Sequence, residues 1–514
     1  MTSALRGLLC FLLRPRQLVL LVATVVCVAA AAVAATPLHD PDVWWVAAAG
    51  RELLSSAAVP RHNLFSFTDP SREWVFHEWL LGAPYAWGLG HFGPKFFVAW
   101  TAVLLPLGVG LVLAGTVGRM RHLGAGLLVV LVAVVFFGSR LLSARPSGVA
   151  QLFPLALTLV AFSPSFGPAK ALWAVSLELV WTNTHGSFPL GVALLAVAAF
   201  DKKRDRGWRL GATGCAALAT CVNPYGLRLH RFVLDYALGR DPTYAEIHAR
   251  VYEFKNILDA WGHTSFPSDA IGWILAAALA ASAWRRRICR LRASLCLVLL
   301  AAAVLQVRHI ELAGLLTCLL LVDRVDELAL GFKLADPGAT GAHQRRTSSV
   351  LVLLASLVGA GLFLPLRRAQ DGEWISQGPE LPAALSQVPD GAHLYVPFSE
   401  TGIAIWYGVR RGVRVFYDAR NDCYSRATIR AFFSLSDPRT PRDRRRRTLE
   451  GSGTDAVLVR SGHPLLSVLE RAPEWTLAYR ARTWRLYLLQ RHRVRPGVVA
   501  SAASVTVAVG GLVL

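Results

Sequence analysis

Charge is the first thing this 514-residue sequence lacks. Only 17% of its residues are Asp, Glu, Lys or Arg, while 54% are hydrophobic and mean hydropathy is +0.43. A soluble domain carries about a quarter charged residues, so an ordinary soluble protein is excluded. Lysine is nearly missing: six of the 54 basic residues are Lys. The net charge of +21 is therefore an arginine charge. Much of it lies in short loops between apolar segments, where it orients a membrane chain and is no sign of nucleic-acid binding. Cysteine is sparse, at eight residues, and all but Cys423 fall in or beside apolar segments. With no CxxC or Cys/His spacing, a disulfide framework and structural zinc are both excluded. No internal repeat and no low-complexity linker is visible.

What is present is a series of apolar runs long enough to cross a hydrocarbon core of roughly 30 Å. Spans are expected at 17–36, 95–117, 123–142, 147–163, 170–184, 187–200, 209–224, 268–284, 291–306, 309–323 and 348–366. The connections alternate in charge. Arg6, Arg14 and Arg16, then Arg119 and Arg121, "DKKRDR", "WRRRICRLR" and the stretch from Arg324 to Arg346 form a densely basic set, which is cytoplasmic by the positive-inside rule. The opposite set holds the loop from Pro37 to Pro94, "SRLLSARPSG", "NTHG", "NPYG" with its following loop, and "QVRHIE". The expectation is a multi-pass α-helical protein of the bacterial inner (plasma) membrane, with 11–12 transmembrane helices, eleven of them in a transmembrane domain over residues 1–366, and a large first outer loop at 37–94.

Eleven spans place residues 367–495 outside the cell. "HLYVPF", "VRVFYD" and "DAVLV" have the apolar content of short buried strands, "SETGIAIWYGV" and "HPLLSVLERA" have helical spacing, and "EWTLAYRARTWRLYLL" suits a closing hairpin. The result is a small extracytoplasmic α/β domain. The apolar tail 496–514 has the length of a twelfth span, although Arg491, Arg493 and Arg495 would then flank its outer end, and the choice stays open. The arginine run from Arg442 to Arg447 is expected to be an exposed loop, because like charges repel. No interleaved aromatics supply base stacking.

Ionisable side chains sit at the outer ends of the apolar segments. Asp40 and Asp42 in "HDPDVWW" stand where the first segment meets water. One Asp suffices to cap a helix over "VWWVAAAGRELL". The other suits a general base that takes a proton from an acceptor hydroxyl. A D-x-D pair is also one a divalent cation could bind; no other cofactor is called for. His77 and Glu78 fall within "EWVFHEWLLGAPYAWGLGHFG", an expected amphipathic helix at headgroup level, where the plain reading makes them its polar face. Arg145, the pair Arg308 and His309, and His185 in "WTNTHGSF" complete the outer set. Arginine holds phosphate bidentately, but the two arginines could also snorkel into headgroups, and His185 could simply occupy a tight turn. Taken together, these groups suit transfer from a lipid phosphate donor, with a carboxylate for the acceptor proton and cations for the departing phosphate.

The pattern resembles the GT-C membrane glycosyltransferases, the group that includes protein O-mannosyltransferases and the lipid A aminoarabinose transferases. In that group a catalytic Asp follows the first transmembrane helix, in a large outer loop, and an Arg-Glu pair follows it. Here Asp42, Trp45 and "GRELL" match that pattern, which assigns Asp42 the catalytic role. The acidic neighbour usual after that Asp is replaced by Val43, leaving a second acidic role to Asp40 or Glu78. "VPRHNLFSFTDPSREWVFHEWL", "WTNTHGSFPLG", "NPYG" and "YDARNDCY" are similar to bacterial members of the superfamily. The resemblance implies a GT-C-like transmembrane domain that moves a sugar from a polyprenyl-phosphate-linked donor to a glycan, lipid or protein acceptor at the outer face, with the donor and membrane lipids as partners and no nucleic acid. Two rivals stand beside it: a flippase or transporter of lipid-linked saccharides, and a non-catalytic assembly protein.

Overall fold

A computed structural model describes residues 40–116, 144–259, 266–286, 290–322, 324 and 378–490. The chain divides into two compact units. One holds residues 76–369; the other combines 39–75 with the C-terminal residues from 370 onward. The first described helix, α1 (Asp42–Ser56), belongs to the second of these.

The first unit is helical throughout. Its helices are α2 (Trp79–Phe92), α3 (Lys95–Thr116), α4 (Pro146–Ala150), α5 (Leu152–Ala161), α6 (Pro168–Thr182), α7 (Pro189–Asp201), α8 (Arg206–Ala219), α9 (Leu227–Leu238), α10 (Pro242–Arg250), α11 (Phe266–Arg285), α12 (Arg290–Leu305) and α13 (Ile310–Leu320). Four of them begin on a proline, α4, α6, α7 and α10, where the missing N–H would have had no helical partner. Helices α3, α4–α5, α6, α7, α8, α11, α12 and α13 coincide within a few residues with the apolar runs from 95–117 to 309–323. The runs 17–36, 123–142 and 348–366 and the tail 496–514 lie outside the described residues. Among the described residues, no helix is long and apolar enough to cross a membrane.

Small residues let these helices approach closely: Ala174, Ala198, Ala199, Ala212 and Ala216 are all buried along α6, α7 and α8. At Gly191 a Cβ would stand 1.8 Å from Glu178 Oε2, so α7 lays bare backbone against a carboxyl group of α6. Glu178 is fully buried, and neither of its oxygens has a hydrogen-bond partner among the described residues. A mid-helix carboxyl of this kind was not anticipated from the sequence.

The second unit is built on a five-stranded sheet. Its strands are β1 (His393–Tyr395), β2 (Arg414–Val415), β3 (Ala456–Arg460), β4 (Trp475–Arg480) and β5 (Trp484–Leu489), in the order β2-β1-β3-β5-β4. β1 runs parallel to β2 and β3, and the β4–β5 hairpin adds antiparallel to β3. These are the segments legible as strands and hairpin in the sequence. Helices α14 (Glu380–Ser386), α15 (Thr401–Gly408), α16 (Arg426–Ser436), α17 (Arg442–Gly451) and α18 (Leu466–Leu469) complete the unit.

The arginine run departs from expectation. Residues 442–451 form helix α17, and Arg445 is buried. Its guanidinium donates to the carbonyls of Pro464, Asp437 and Thr440 at 3.2, 3.0 and 2.9 Å. One arginine of the run thus serves as an internal strut, and the charge repulsion expected to keep the segment a loop is outweighed by these bonds.

The larger surprise is where residues 61–75 go. Residues 65–67 extend the sheet beside β2: Val415 N–H donates to Phe65 O at 2.8 Å and Phe67 N–H to Val415 O at 3.3 Å. Asp69 Oδ2 accepts from Ser425 N and Thr428 Oγ1 at 3.0 and 2.6 Å, fixing the start of α16. Arg420 is buried, 2.7 Å from Asp418 in an ion pair with no exposed side-chain surface. It also donates to Asn63 Oδ1, and its guanidinium lies 4.8 and 4.6 Å from the ring centroids of Phe65 and Trp74. The motifs "RHNLFSFTDPSREW" and "YDARNDCY" are thus two halves of one polar core. Dividing the chain at 366/367 by sequence leaves residues 39–75 with the helices; by contact they belong with the sheet.

Candidate functional site

The two aspartates are carried by the second unit, at the start of α1. Asp40 Oδ1 accepts the N–H of Asp42 at 2.8 Å, so it caps the free end of the helix. Asp42 lies in the first turn, and its Oδ1 accepts from Trp45 Nε1 at 3.1 Å. Trp45 packs edge-on against Trp74 at 5.9 Å, the ring that Arg420 covers. Helix α15 approaches so tightly here that a Cβ on Gly402 would stand 2.0 Å from Pro41 O. The orientation of the Asp42 carboxylate is therefore fixed by the buried core of the unit.

In the first unit, three of the motifs singled out in the sequence interlock. Asn183 ends α6, its Nδ2 donating to Leu179 O and Val222 O at 2.9 Å each. Its Oδ1 accepts from Trp79 Nε1 at 2.9 Å and its carbonyl from Leu80 N at 3.2 Å. In "NPYG", Asn223 Oδ1 accepts from Tyr225 N at 2.8 Å, and Gly226 takes φ +55°, a conformation that favours glycine. Tyr225 Oη then accepts from Phe76 N at 2.9 Å. "FHEW", "TNTHG" and "NPYG" are one assembly, and it sets the position of His77, Glu78 and His185.

His77 and Glu78 precede helix α2 and do not form its polar face. Glu78 stands at the N-cap position and is buried. The reason is the anchoring of Trp79 and Leu80 to Asn183, which draws the chain inward just before the helix begins. His77 Nε2 lies 3.7 Å from Glu78 Oε1, and the His77 ring is 6.0 Å from that of His185. A Cβ on Gly186 would meet His77 Cδ2 at an ordinary 3.6 Å, and its tighter neighbour would be Val233 Cγ2 at 3.3 Å.

His185 Nδ1 accepts the N–H of Ser187 at 3.2 Å and lies 2.9 Å from its hydroxyl. That bond assigns the proton of the neutral ring to Nε2. Burial holds the His185 pKa well below the usual imidazole value, reinforced by His77, Arg308, Arg145 and His309. Four residues from distant parts of the sequence thus act electrostatically on one ring, which they keep as a neutral hydrogen-bond donor.

Arg145 and Arg308 meet the same short segment. Arg145, the residue before α4, pairs with Glu253. The Arg308 guanidinium lies 4.8 Å from the ring centroid of Phe254, the next residue. Glu253 and Phe254 both belong to the 3-10 turn Tyr252–Phe254; just after it, Ile257 N donates to Val304 O of α12, and Lys255 O accepts from Val307 N in the 3-10 turn that follows α12, each at 3.0 Å. His248 stacks on Phe254 at 4.8 Å, and burial, with Arg308, lowers its pKa. Tyr236 lies 4.7 Å from Tyr244 and 6.0 Å from Phe232, whose ring is 5.5 Å from His77. An aromatic and imidazole wall thus runs from His185 to Phe254.

His77, His185, Arg145, Arg308 and His309 are therefore neighbours, as are Asp40 and Asp42 within the other unit. Reading the sequence missed Glu253, His248, Tyr236 and Tyr244, all in the stretch after "NPYG". The signal was there: "DYALGRDPTYAEIHARVYEF" is too rich in Tyr, His and Glu for a simple connection. For a cation, no group of three or more His, Cys, Asp or Glu stands together among the described residues. The D-x-D pair alone offers a metal few ligands, and one of its carboxylates is engaged in capping.

No family model matches the sequence, and no curated protein matches it. Solved structures do. The archaeal oligosaccharyltransferase AglB from Archaeoglobus fulgidus, in complex with an inhibitory peptide and a dolichol-phosphate, aligns with TM-score 0.52 at 10% identity, over 87% of this chain and 69% of that one. The Archaeoglobus fulgidus oligosaccharyltransferase in complex with Zn and sulfate aligns with TM-score 0.50 at 11% identity, over 86% and 68%. ArnT from Cupriavidus metallidurans in the apo state covers 94% of this chain and 98% of its own at 12% identity, with TM-score 0.49, too slight a likeness to argue from. The fold is GT-C-like.

Proposed function

We propose that the chain is a multi-pass membrane glycosyltransferase that moves a sugar from a polyprenyl-phosphate-linked donor to an acceptor at the outer face of the bacterial membrane. The observation that carries this reading is the convergence of Arg145, Arg308 and the neutral His185 on one aromatic-walled region of a GT-C-like fold. AglB, with that fold, was solved with a dolichol-phosphate. The membrane part of the reading rests on the match between the described helices and the apolar runs, and on the alternation of basic loops.

Each group has a part in the reaction. The Asp42 carboxylate takes the proton of the acceptor hydroxyl as its oxygen attacks the anomeric carbon. The bond from that carbon to the phosphate oxygen breaks, and the electron pair leaves with polyprenyl phosphate. Phosphate is a good leaving group, so no general acid is needed. Arg145 and Arg308 stabilise its charge, and His185 Nε2–H donates to donor oxygens. Asp40 holds the turn that presents Asp42. Glu78 beside His77 keeps that imidazole in place.

Comparing lipid-linked sugars and surface glycans in cells with and without the protein tests the function. The expected result is accumulation of one polyprenyl-phosphate-linked sugar and loss of that sugar from one surface glycan; unchanged pools of both would refute it. One observation favours a second reading, that of a lipid-saccharide transporter. Glu178 is a buried carboxyl in mid-helix, and ionisable groups at such depth often line a transport path.

A further inference from the structure

Glu253 pairs with Arg145, and nothing in the transfer chemistry above requires it. Its backbone is held in place by the clamp of residues 255 and 257 to Val307 and Val304, so the carboxylate stays beside Arg145 whether or not a ligand is present. The pair is about a quarter exposed on each side, open enough for a phosphate to reach the guanidinium without breaking a buried contact. A partly exposed ion pair of this kind is weak. A phosphate oxygen can therefore share Arg145 with Glu253, and the carboxylate remains as the next charge the ligand meets.

Lipid-linked sugars come in two charge classes. A sugar joined to the polyprenol through one phosphate is a phosphodiester with a single negative charge. Through two phosphates it carries two, the second about one phosphate unit further along. Glu253 cancels the charge of Arg145, so with Arg308 beside the same turn these three groups carry one net positive charge: it balances the first phosphate charge, and the second is set against Glu253. Resting on the donor-phosphate reading above, we propose that Glu253 is a specificity-determining residue that selects single-phosphate donors over diphosphate-linked ones. Like charges roughly 6 Å apart, in a partly solvated site, disfavour binding by about tenfold.

The test uses the full-length protein in nanodiscs and two sugar-free probes, farnesyl methyl phosphate and farnesyl methyl diphosphate, which carry one and two charges. The wild-type protein binds the first at least about tenfold more tightly. Glu253→Gln shrinks that preference by about tenfold, chiefly by strengthening diphosphate binding, whereas Arg145→Gln weakens both probes. A wild-type preference for the diphosphate, or a preference unchanged in Glu253→Gln, overturns the role of Glu253. The donor-phosphate reading fails in a different way: neither probe binds the wild type, or Arg145→Gln and Arg308→Gln bind both probes as the wild type does. Thermal unfolding of Glu253→Gln, expected to match the wild type, confirms that the carboxamide leaves the 3-10 turn in place.

Discussion

Replacing Arg420 with methionine tests whether residues 39–75 and the C-terminal residues form a single unit. The substitution keeps much of the side-chain volume but removes the charge that faces Asp418 in a pair with no exposed surface. It also removes the bond to Asn63 and the cation contacts with Phe65 and Trp74. Breaking a buried pair by deleting one partner costs about 3–5 kcal/mol, because the other charge stays buried without compensation. The reporter is built in. Cys423 is fully buried, and its carbonyl accepts from Asn63 Nδ2 at 3.2 Å, so its thiol reacts only when this core opens. Local opening made easier by that energy speeds labelling of Cys423 by a thiol reagent about 10²- to 10³-fold, read by mass spectrometry of its peptide in the intact protein. The wild-type protein, labelled in parallel, is the reference. Asn63→Ala gives a smaller rise, about fivefold to 10²-fold, since it removes hydrogen bonds and leaves the ion pair. A Cys423 rate within about threefold of wild type in Arg420→Met would refute the idea that residues 61–74 complete this core.

Two further outcomes follow from the same structure. Burial, with Arg445 nearby, lowers the pKa of His463 from 6.5 to about 4; the neutral ring is favoured in the folded state, so its contribution is present above about pH 6.5 and lost as pH falls through about 4. That amounts to about 3 kcal/mol at most, visible as smaller hydrogen-exchange protection factors of the β3 amides towards pH 4, and His463→Gln should flatten the dependence. Cysteines introduced at the exposed positions Ser71 and Ala427 should react with a membrane-impermeant reagent on intact cells, and one at Arg204 should not; the reverse pattern would move the carboxylates to the cytoplasm and remove the basis of the proposed function.

The parts of the fold that could be read from the sequence are those fixed by local pattern. Apolar runs marked the helices α3 to α8 and α11 to α13, and alternating or β-branched segments marked β1, β3 and the β4–β5 hairpin. Asp42, Arg145, Arg308 and His185 drew notice because ionisable groups at the edges of apolar segments are costly. What escaped notice depends on contacts between distant residues. Asn63 meets Arg420 across more than 350 positions, and no local rule pairs them. Arg445 could not be told from its neighbours in "RDRRRR", since only the fold brings three carbonyls to it. Glu253 looked like any loop carboxylate until the turn at 252–254 placed it on Arg145. Gly402 had no evident purpose until α15 was seen to touch the backbone before Asp42.

The central claim is that Asp42 serves transfer from a lipid phosphate donor. Its most direct test is the release of polyprenyl phosphate by the purified protein, reconstituted with lipid-linked sugars and surface glycans extracted from its own host. The account predicts acceptor-dependent release by the wild type and a rate at least about 10²-fold lower in Asp42→Asn, with the variant folded as judged by Cys423 protection. Release by Asp42→Asn at the wild-type rate, or a wild-type protein that moves the intact lipid-linked sugar across the bilayer without cleaving it, would contradict the account.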